Sequence, residues 1–418
     1  MIGKSGIDKS LTEDDIEAVL VEGLASLRIQ GKRILVVIPD GTRTMPLPLF
    51  FRLIVRHLRE RDAGAITFLI ALGTHPALSE PAKLNLLGLT KEKREDKYAE
   101  IHILNHRWQD PGTLVSLGEI SAEELSALSE GRIKEKLEVH INRFVLENDQ
   151  ILICGPVFPH EVIGFSGGNK YFFPGLAGQA IIDWTHWLGA LLTSYSIIGK
   201  LDTPVRAVVD HAASLIPTPN SAICLVVKDK GDVAGIYFGT PKEAWRAAAQ
   251  LSSSLHIRWV EKPYNRVFSM VPTQYEDLWI GAKGMYKVEP VVADGGEVVI
   301  YAPHIHEISM THGDFIRQVG YHVLDYFLEQ RDQFMHIPLA VLAHSTHLKG
   351  IGEYSNGIEE PRIMVTLATQ IPKEICEEVN LGYWDPSSLH IGDWVDREDE
   401  GILVIRRAGE MLYRLVEH

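Results

Sequence analysis

The 418-residue chain carries 55 acidic against 41 basic side chains, a net charge of −14, and its basic residues are dispersed, which excludes a broad nucleic-acid footprint and points to small-molecule partners. With 45% apolar and 23% charged residues, it has an ordinary globular composition and is long enough for two domains that each bury a core. Cys154, Cys224 and Cys376 lie far apart and in no metal-binding spacing, the charged start is unlike a signal peptide, and no apolar run approaches the ~18 residues of a membrane span; a cytoplasmic location without a membrane partner is expected.

RILVVI (33–38) is the first of several short Val/Ile-rich runs, each followed by turn residues and a helix-length stretch. That alternation predicts α/β layers with buried, mostly parallel strands. PDGTRTMP comes next, then an amphipathic helix, LPLFFRLIVRHLRERDAG, stopped by a basic last turn and Gly64. AITFLIAL (65–72) is the second run, with Ser79 as a helix cap, and EIHILNH and QILICG continue the series. Just past the carboxyl ends stand Asp40 and Arg43, His75, His106 and His160. Open α/β sheets bind ligands at that edge, so the four runs point to one site.

HEVIGFSGGNKYFFPGLAG (160–178) follows. It is not a Walker A loop, because Asn169 stands where the second Gly belongs and Tyr171 where a Ser or Thr should bind magnesium; nor is it a dinucleotide fingerprint. Gly164, Gly167 and Gly168 permit close backbone approach to a ligand, and Pro174 is expected to open a helix. A plain packing turn is the alternative. Lys170 is a phosphate partner, a nucleophilic amine or a solvated lysine. GLAGQAIIDWTHWLG reads as a helix that carries His186 between two tryptophans. His75 and His160 on loops suit a reaction that needs a base on either face of a substrate carbon, as in racemisation.

A second α/β pattern runs through NRVFSMVP (265–272), EVVIYAPH, IPLAVLAHSTH and RIMVTLATQ (362–370), after a linker at WVEKPYN. The expected architecture is two α/β domains with mostly parallel sheets and the active site in the cleft between them. A cofactor-binding domain spans 1–262, a substrate-closing domain 263–395, and the tail 396–418 returns to the first domain.

DGTR (40–43), LGTH (72–75), the His160 to Lys170 spacing around GFSGGNKYFFPG and the later His186 resemble the lactate racemase family of nickel-pincer 2-hydroxy-acid racemases and epimerases. The likeness is strongest through 33–190. It implies a pyridinium-3,5-bisthiocarboxylic acid mononucleotide joined covalently to Lys170 and holding nickel, with His186 as a metal ligand. It further implies that Ser166, Gly167 and Gly168 cradle the nucleotide phosphate, and that Asp40, Thr42 and Arg43 meet nucleotide or substrate. His75 and His160 become the acid–base pair for hydride abstraction and return, and cofactor-biosynthesis enzymes become partners. DLWIGAKGM (277–285) resembles the family's substrate segment, with Lys283 matching a carboxylate-binding lysine and Trp279 and Ile280 standing in place of Tyr and Gln.

Thr44 also replaces a usual proline. These departures imply a substrate other than lactate. His304, His306, His312, His344 and His347 are either surface and capping residues, a pocket for a hydroxyl-bearing acid such as a sugar acid, or a second metal site. Two other readings of the chain remain: a nicotinamide- or nucleotide-dependent oxidoreductase with a diffusible cofactor, and a non-catalytic small-molecule binding protein.

Overall fold

The computed structural model describes residues 1–228 and 231–416. The fold is mixed α/β with mostly parallel sheets. Two compact units divide the chain: 1–158, 165–182 and 206–255 form one, and 159–164, 183–205 and 256–418 form the other.

The first unit is built on a seven-stranded sheet in the order Ile2–Ser5, Val233–Gly239, Asn220–Val227, Gln150–Pro156, Arg33–Ile38, Ala65–Ile70, His102–Asn105. The last five pair in parallel, whereas Val233–Gly239 is antiparallel to both its neighbours. Ile34 to Ile38 and Ile151 to Cys154 are fully buried, as strands covered on both faces require. The helix Leu47–Glu60 turns Phe50, Phe51, Ile54 and Leu58 into the core formed with the sheet. From Arg33–Ile38 the chain builds outward through Ala65–Ile70 and His102–Asn105, then returns to add Gln150–Pro156 on the opposite side. The strand order therefore reverses between Arg33–Ile38 and Gln150–Pro156, the position where doubly wound sheets open a ligand crevice.

The second unit has a five-stranded parallel sheet in the order Gly382–Tyr383, Met364–Thr369, Val292–Ala302, Tyr264–Met270, Ile402–Ile405. The tail expected to return to the first domain adds a strand here instead. Ile402–Ile405 pairs with Tyr264–Met270, and Leu412–Leu415 pairs with Ile257–Val260, so the segment expected as a linker is partly strand.

IPLAVLAHSTH also differs from expectation. It lies in a helix, Leu339–Lys349, buried from Ala340 through Lys349 and closed by Gly350 at φ +87°. A continuous apolar run has no period that separates a buried strand from a buried helix. Nor does Pro174 open a helix: a 3₁₀ turn covers Gly168–Tyr171, and the helix starts later, at Gln179–Leu192.

Candidate active site

In the first unit the loop after Arg33–Ile38 is organised by Asp40, which is 7% exposed. Its Oδ1 accepts the Thr42 amide at 3.1 Å and the Thr42 hydroxyl at 2.7 Å, while Oδ2 accepts a short hydrogen bond from His75 Nδ1. A proton held on Nδ1 leaves the Nε2 lone pair of a neutral ring as an acceptor. Asp40 and Thr42, expected to meet nucleotide or substrate, also form a turn that is hydrogen-bonded to His75. Arg43 is half-buried beside them, and its charge and that of Asp40 both reach Tyr171, the neighbour of Lys170.

The glycine turn follows the other strand at the reversal point. Gly167 and Gly168 take φ of +87° and +59°, where glycine is favoured, and a Cβ on Gly168 would fall 2.7 Å from Trp245 Cβ. Arg206 donates to the carbonyls of Phe165 and Gly167 (the latter at 3.3 Å), and Trp245 Nε1 donates to Ser166 O at 2.9 Å. The Arg206 guanidinium in turn lies 4.0 Å from the Trp245 ring centroid. Burial brings this guanidinium down to about 10, with Asp210 acting in the opposite direction. Ser166 Oγ accepts from Phe158 N at 2.9 Å and faces Pro156 O at 3.4 Å, so the hydroxyl expected to meet phosphate closes the turn. Arg206 and Trp245 were invisible to the sequence reading, since they lie far along the chain on helices with no motif.

Every residue of 162–178 except Lys170 is buried. A rigid, packed segment therefore presents one amine. Lys170 O accepts from Gly175 N at 3.2 Å, and Gly175 O accepts from Gly73 N at 3.1 Å, which ties the turn to the loop of His75. His106, expected among the site histidines, is instead a core residue. Its Nε2 bonds Ala177 O at 3.0 Å, its Nδ1 meets Asn142 Nδ2 at 3.1 Å, and burial pushes the ring down to about 4. The cysteines are free and buried.

In the second unit His160 is 4% exposed. Its Nδ1 accepts from Val162 N at 3.1 Å and lies 3.3 Å from a Glu161 carboxylate oxygen. The Val162 amide fits a ring with its proton on Nε2, and the Glu161 carboxylate lies beside the same nitrogen. Buried Lys287 donates to Pro159 O and fixes the approach to this histidine.

His186 is half-buried on Gln179–Leu192. On the same helix Asp183 Oδ1 accepts Ala340 N at 2.9 Å, which joins it to the first turn of Leu339–Lys349. That helix carries His344 and His347 one turn apart, both buried. Burial, followed by the charges of His347, His312 and His186, pushes His344 well below the usual imidazole range; burial brings His347 down to about 4.

Trp279 stacks on His344 with centroids 3.8 Å apart and lies 4.5 Å from His312. Lys283 is 4% exposed, its Nζ 4.6 Å from the Tyr275 ring centroid. His304 bonds Tyr275 O at 3.1 Å, and His306 is exposed, so neither joins the buried group. Among the described residues no three His, Cys, Asp or Glu side chains are arranged to hold a metal by themselves.

The lactate racemase N-terminal domain family matches residues 7–197. Lactate racemase of Thermoanaerobacterium thermosaccharolyticum is 24% identical over 302 residues, 69% of this chain and 65% of that protein. The chain is lactate racemase-like, most clearly through residues 7–197. Lactate racemase of Lactiplantibacillus plantarum is 28% identical over 43% of this chain and 37% of that protein, so the matches span less than two thirds of these curated relatives. The lactate racemase apoprotein structure of T. thermosaccharolyticum shares the fold at 18% identity and a TM-score of 0.72, covering 99% of this chain and 94% of that one. A Thermotoga maritima protein of known structure is 31% identical with a TM-score of 0.91, covering 99% of this chain and all of that one. No described helix is long and apolar enough to cross a membrane.

Proposed function

We propose that this chain is an isomerase, a nickel-pincer-nucleotide-dependent racemase or epimerase of a 2-hydroxy acid. The observation that carries the reading is the single amine, Lys170, offered by an otherwise buried segment whose backbone is held by Arg206 and Trp245. The residues fit the cofactor's chemistry: an amine on a rigid turn suits covalent attachment through a carboxyl-derived group, and the half-buried imidazole of His186 suits a nickel ion otherwise held by soft sulfur and carbon donors. When bound, the cofactor would supply the hydride acceptor and donor that no side chain provides.

The chain's own residues do the rest. His75, with its Nδ1 proton held by Asp40, takes the substrate hydroxyl proton on Nε2. His160, with Glu161 beside it to stabilise its charged form, returns a proton to oxygen when the opposite configuration is made. The two exchange roles for the mirror-image substrate. Lys283 holds the substrate carboxylate, and Arg43 pairs with substrate or nucleotide phosphate. Trp279 borders the carbon chain. Loading requires cofactor-biosynthesis enzymes as partners and goes with a cytoplasmic setting.

The test is racemisation of chiral 2-hydroxy acids by loaded protein in D2O. The hydride path retains the original hydrogen at C2. Full deuterium incorporation at C2 would mean that the carbon-bound hydrogen leaves as a proton, and the reading would fail.

A further inference from the structure

Lys287 is 1% exposed, the most deeply buried lysine among the described residues. Lysine is almost never enclosed in this way unless strong acceptors meet its charge. Its Nζ donates to Pro159 O and, at 3.3 Å, to Glu410 O. Proline has no N–H, so the carbonyl is the one backbone group through which a hydrogen bond can hold Pro159. The planar peptide carries that restraint directly to His160 N. From the ring side, Val162 N donates to His160 Nδ1 at 3.1 Å. The histidine is therefore held through its main chain and its ring at once.

Lys287 follows the short helix Lys283–Tyr286 and lies one turn beyond Lys283, on the same side. The C-terminal segment packs against this turn. Tyr413 N donates to Lys287 O at 2.9 Å, and a Cβ on Gly409 would fall 3.2 Å from Lys283 Cβ. Ala408 N donates to Met270 O at 2.9 Å, and Leu412–Leu415 pairs with Ile257–Val260, so the segment is itself anchored in the second unit. Lys287 thus ties together three stretches far apart in sequence: the one with His160, the one with Lys283, and the C-terminal segment.

We propose that Lys287 is a positioning residue, seated on the C-terminal segment, that fixes His160 at a set spacing from Lys283. This rests on the racemase reading, in which Lys283 holds the carboxylate and His160 serves the hydroxyl on the adjacent carbon. Those two groups of one substrate sit a fixed distance apart, so the residues that meet them need a rigid common support. Proton transfer requires hydrogen-bond reach, whereas attraction between charges falls off gradually with distance. Losing the brace therefore costs turnover more than binding.

The experiment is NMR of the full, unloaded chain labelled with nitrogen-15 lysine and histidine and with carbon-13 proline carbonyls. The wild type is expected to show a slowly exchanging lysine ammonium coupled across a hydrogen bond to a proline carbonyl, and His160 with its proton on Nε2. Only fast-exchanging ammonium groups, like those of surface lysines, would overturn the brace without any variant. In Lys287→Met, which keeps the apolar stem and removes the donor, His160 should become a mixture of tautomers. Once loaded, this variant should lose about 10-fold in kcat with KM within about threefold of wild type. Lys349→Met removes another buried lysine of the same unit, one that donates to Asn380 O at 2.7 Å, and should leave the His160 signals unchanged. Unchanged His160 signals in folded Lys287→Met, or an equal shift in Lys349→Met, would overturn the proposal. Full exchange of the C2 hydrogen by loaded protein would remove the racemase reading, while the ammonium coupling and the tautomer shift, read without cofactor, would still establish the brace on His160.

Discussion

Replacing Asp40 by Asn isolates the role assigned to the His75 pair. The Oδ1 contacts with Thr42 can persist, but an amide NH2 would face His75 Nδ1 in place of the carboxylate oxygen. The neutral ring then favours its proton on Nε2, the atom that must act as base. The charged ring also loses an ionic partner. At an effective dielectric near 20 a pair about 4 Å apart is attracted by about 4 kcal/mol. The His75 side chain is 27% exposed, so solvent screening reduces this to about 2 kcal/mol. That corresponds to about a 30-fold loss of turnover, to which the tautomer change adds. The assay pairs initial rates from each enantiomer, at equal cofactor loading, with nitrogen-15 NMR of His75. Wild-type protein should show an Nδ1 proton and the variant an Nε2 proton. Turnover within twofold of wild type, or an unchanged tautomer, would refute the reasoning.

Arg206→Met keeps much of the side-chain volume but strips the donors from the Phe165 and Gly167 carbonyls; a loss of about 3 kcal/mol in denaturant unfolding is expected, and a change below about 0.5 would mean the turn holds itself. His186→Ala should lower nickel retained after gel filtration while leaving the Lys170 adduct in place, and unchanged retention would remove His186 as a ligand. Glu289 gives a pH signature. Burial pushes its carboxyl up to about 7 from 4.5, against the opposing pulls of Ile351 N–H and Arg362. Between those values the folded state keeps a proton that the unfolded state has released, so stability falls as pH rises from about 4.5 to 7 and stays lower above. Glu289→Gln should flatten that slope and exceed wild type by about 3 kcal/mol at pH 8, and parallel stability curves would contradict it.

Much of the first unit was legible because its strands are short Val/Ile runs bounded by turns, as at Arg33–Ile38 and Ala65–Ile70. Chain order also placed Asp40 and His75 after strand ends. What the pattern could not supply was partnership. Asp40 reads as a ligand contact, and only the fold shows that its two oxygens also hold Thr42 and His75. His106 has the same sequence setting as His75, but only packing shows that both its nitrogens are engaged in the core. The Arg206 and Trp245 clamp is long-range and leaves no local trace. Leu339–Lys349 was missed as a helix because it is buried on all sides, which erases the amphipathic period, and its histidines were consequently placed at a strand end.

The most direct test of the central claim is intact-protein mass spectrometry with metal analysis, after co-expression with the enzymes that build the pincer nucleotide and with a lactate racemase loaded in parallel. The account predicts a covalent mass increase that maps to Lys170, near-stoichiometric nickel, and loss of the adduct in Lys170→Ala. An unmodified Lys170 beside a fully loaded control would contradict it and direct the search to a diffusible cofactor or a binding role.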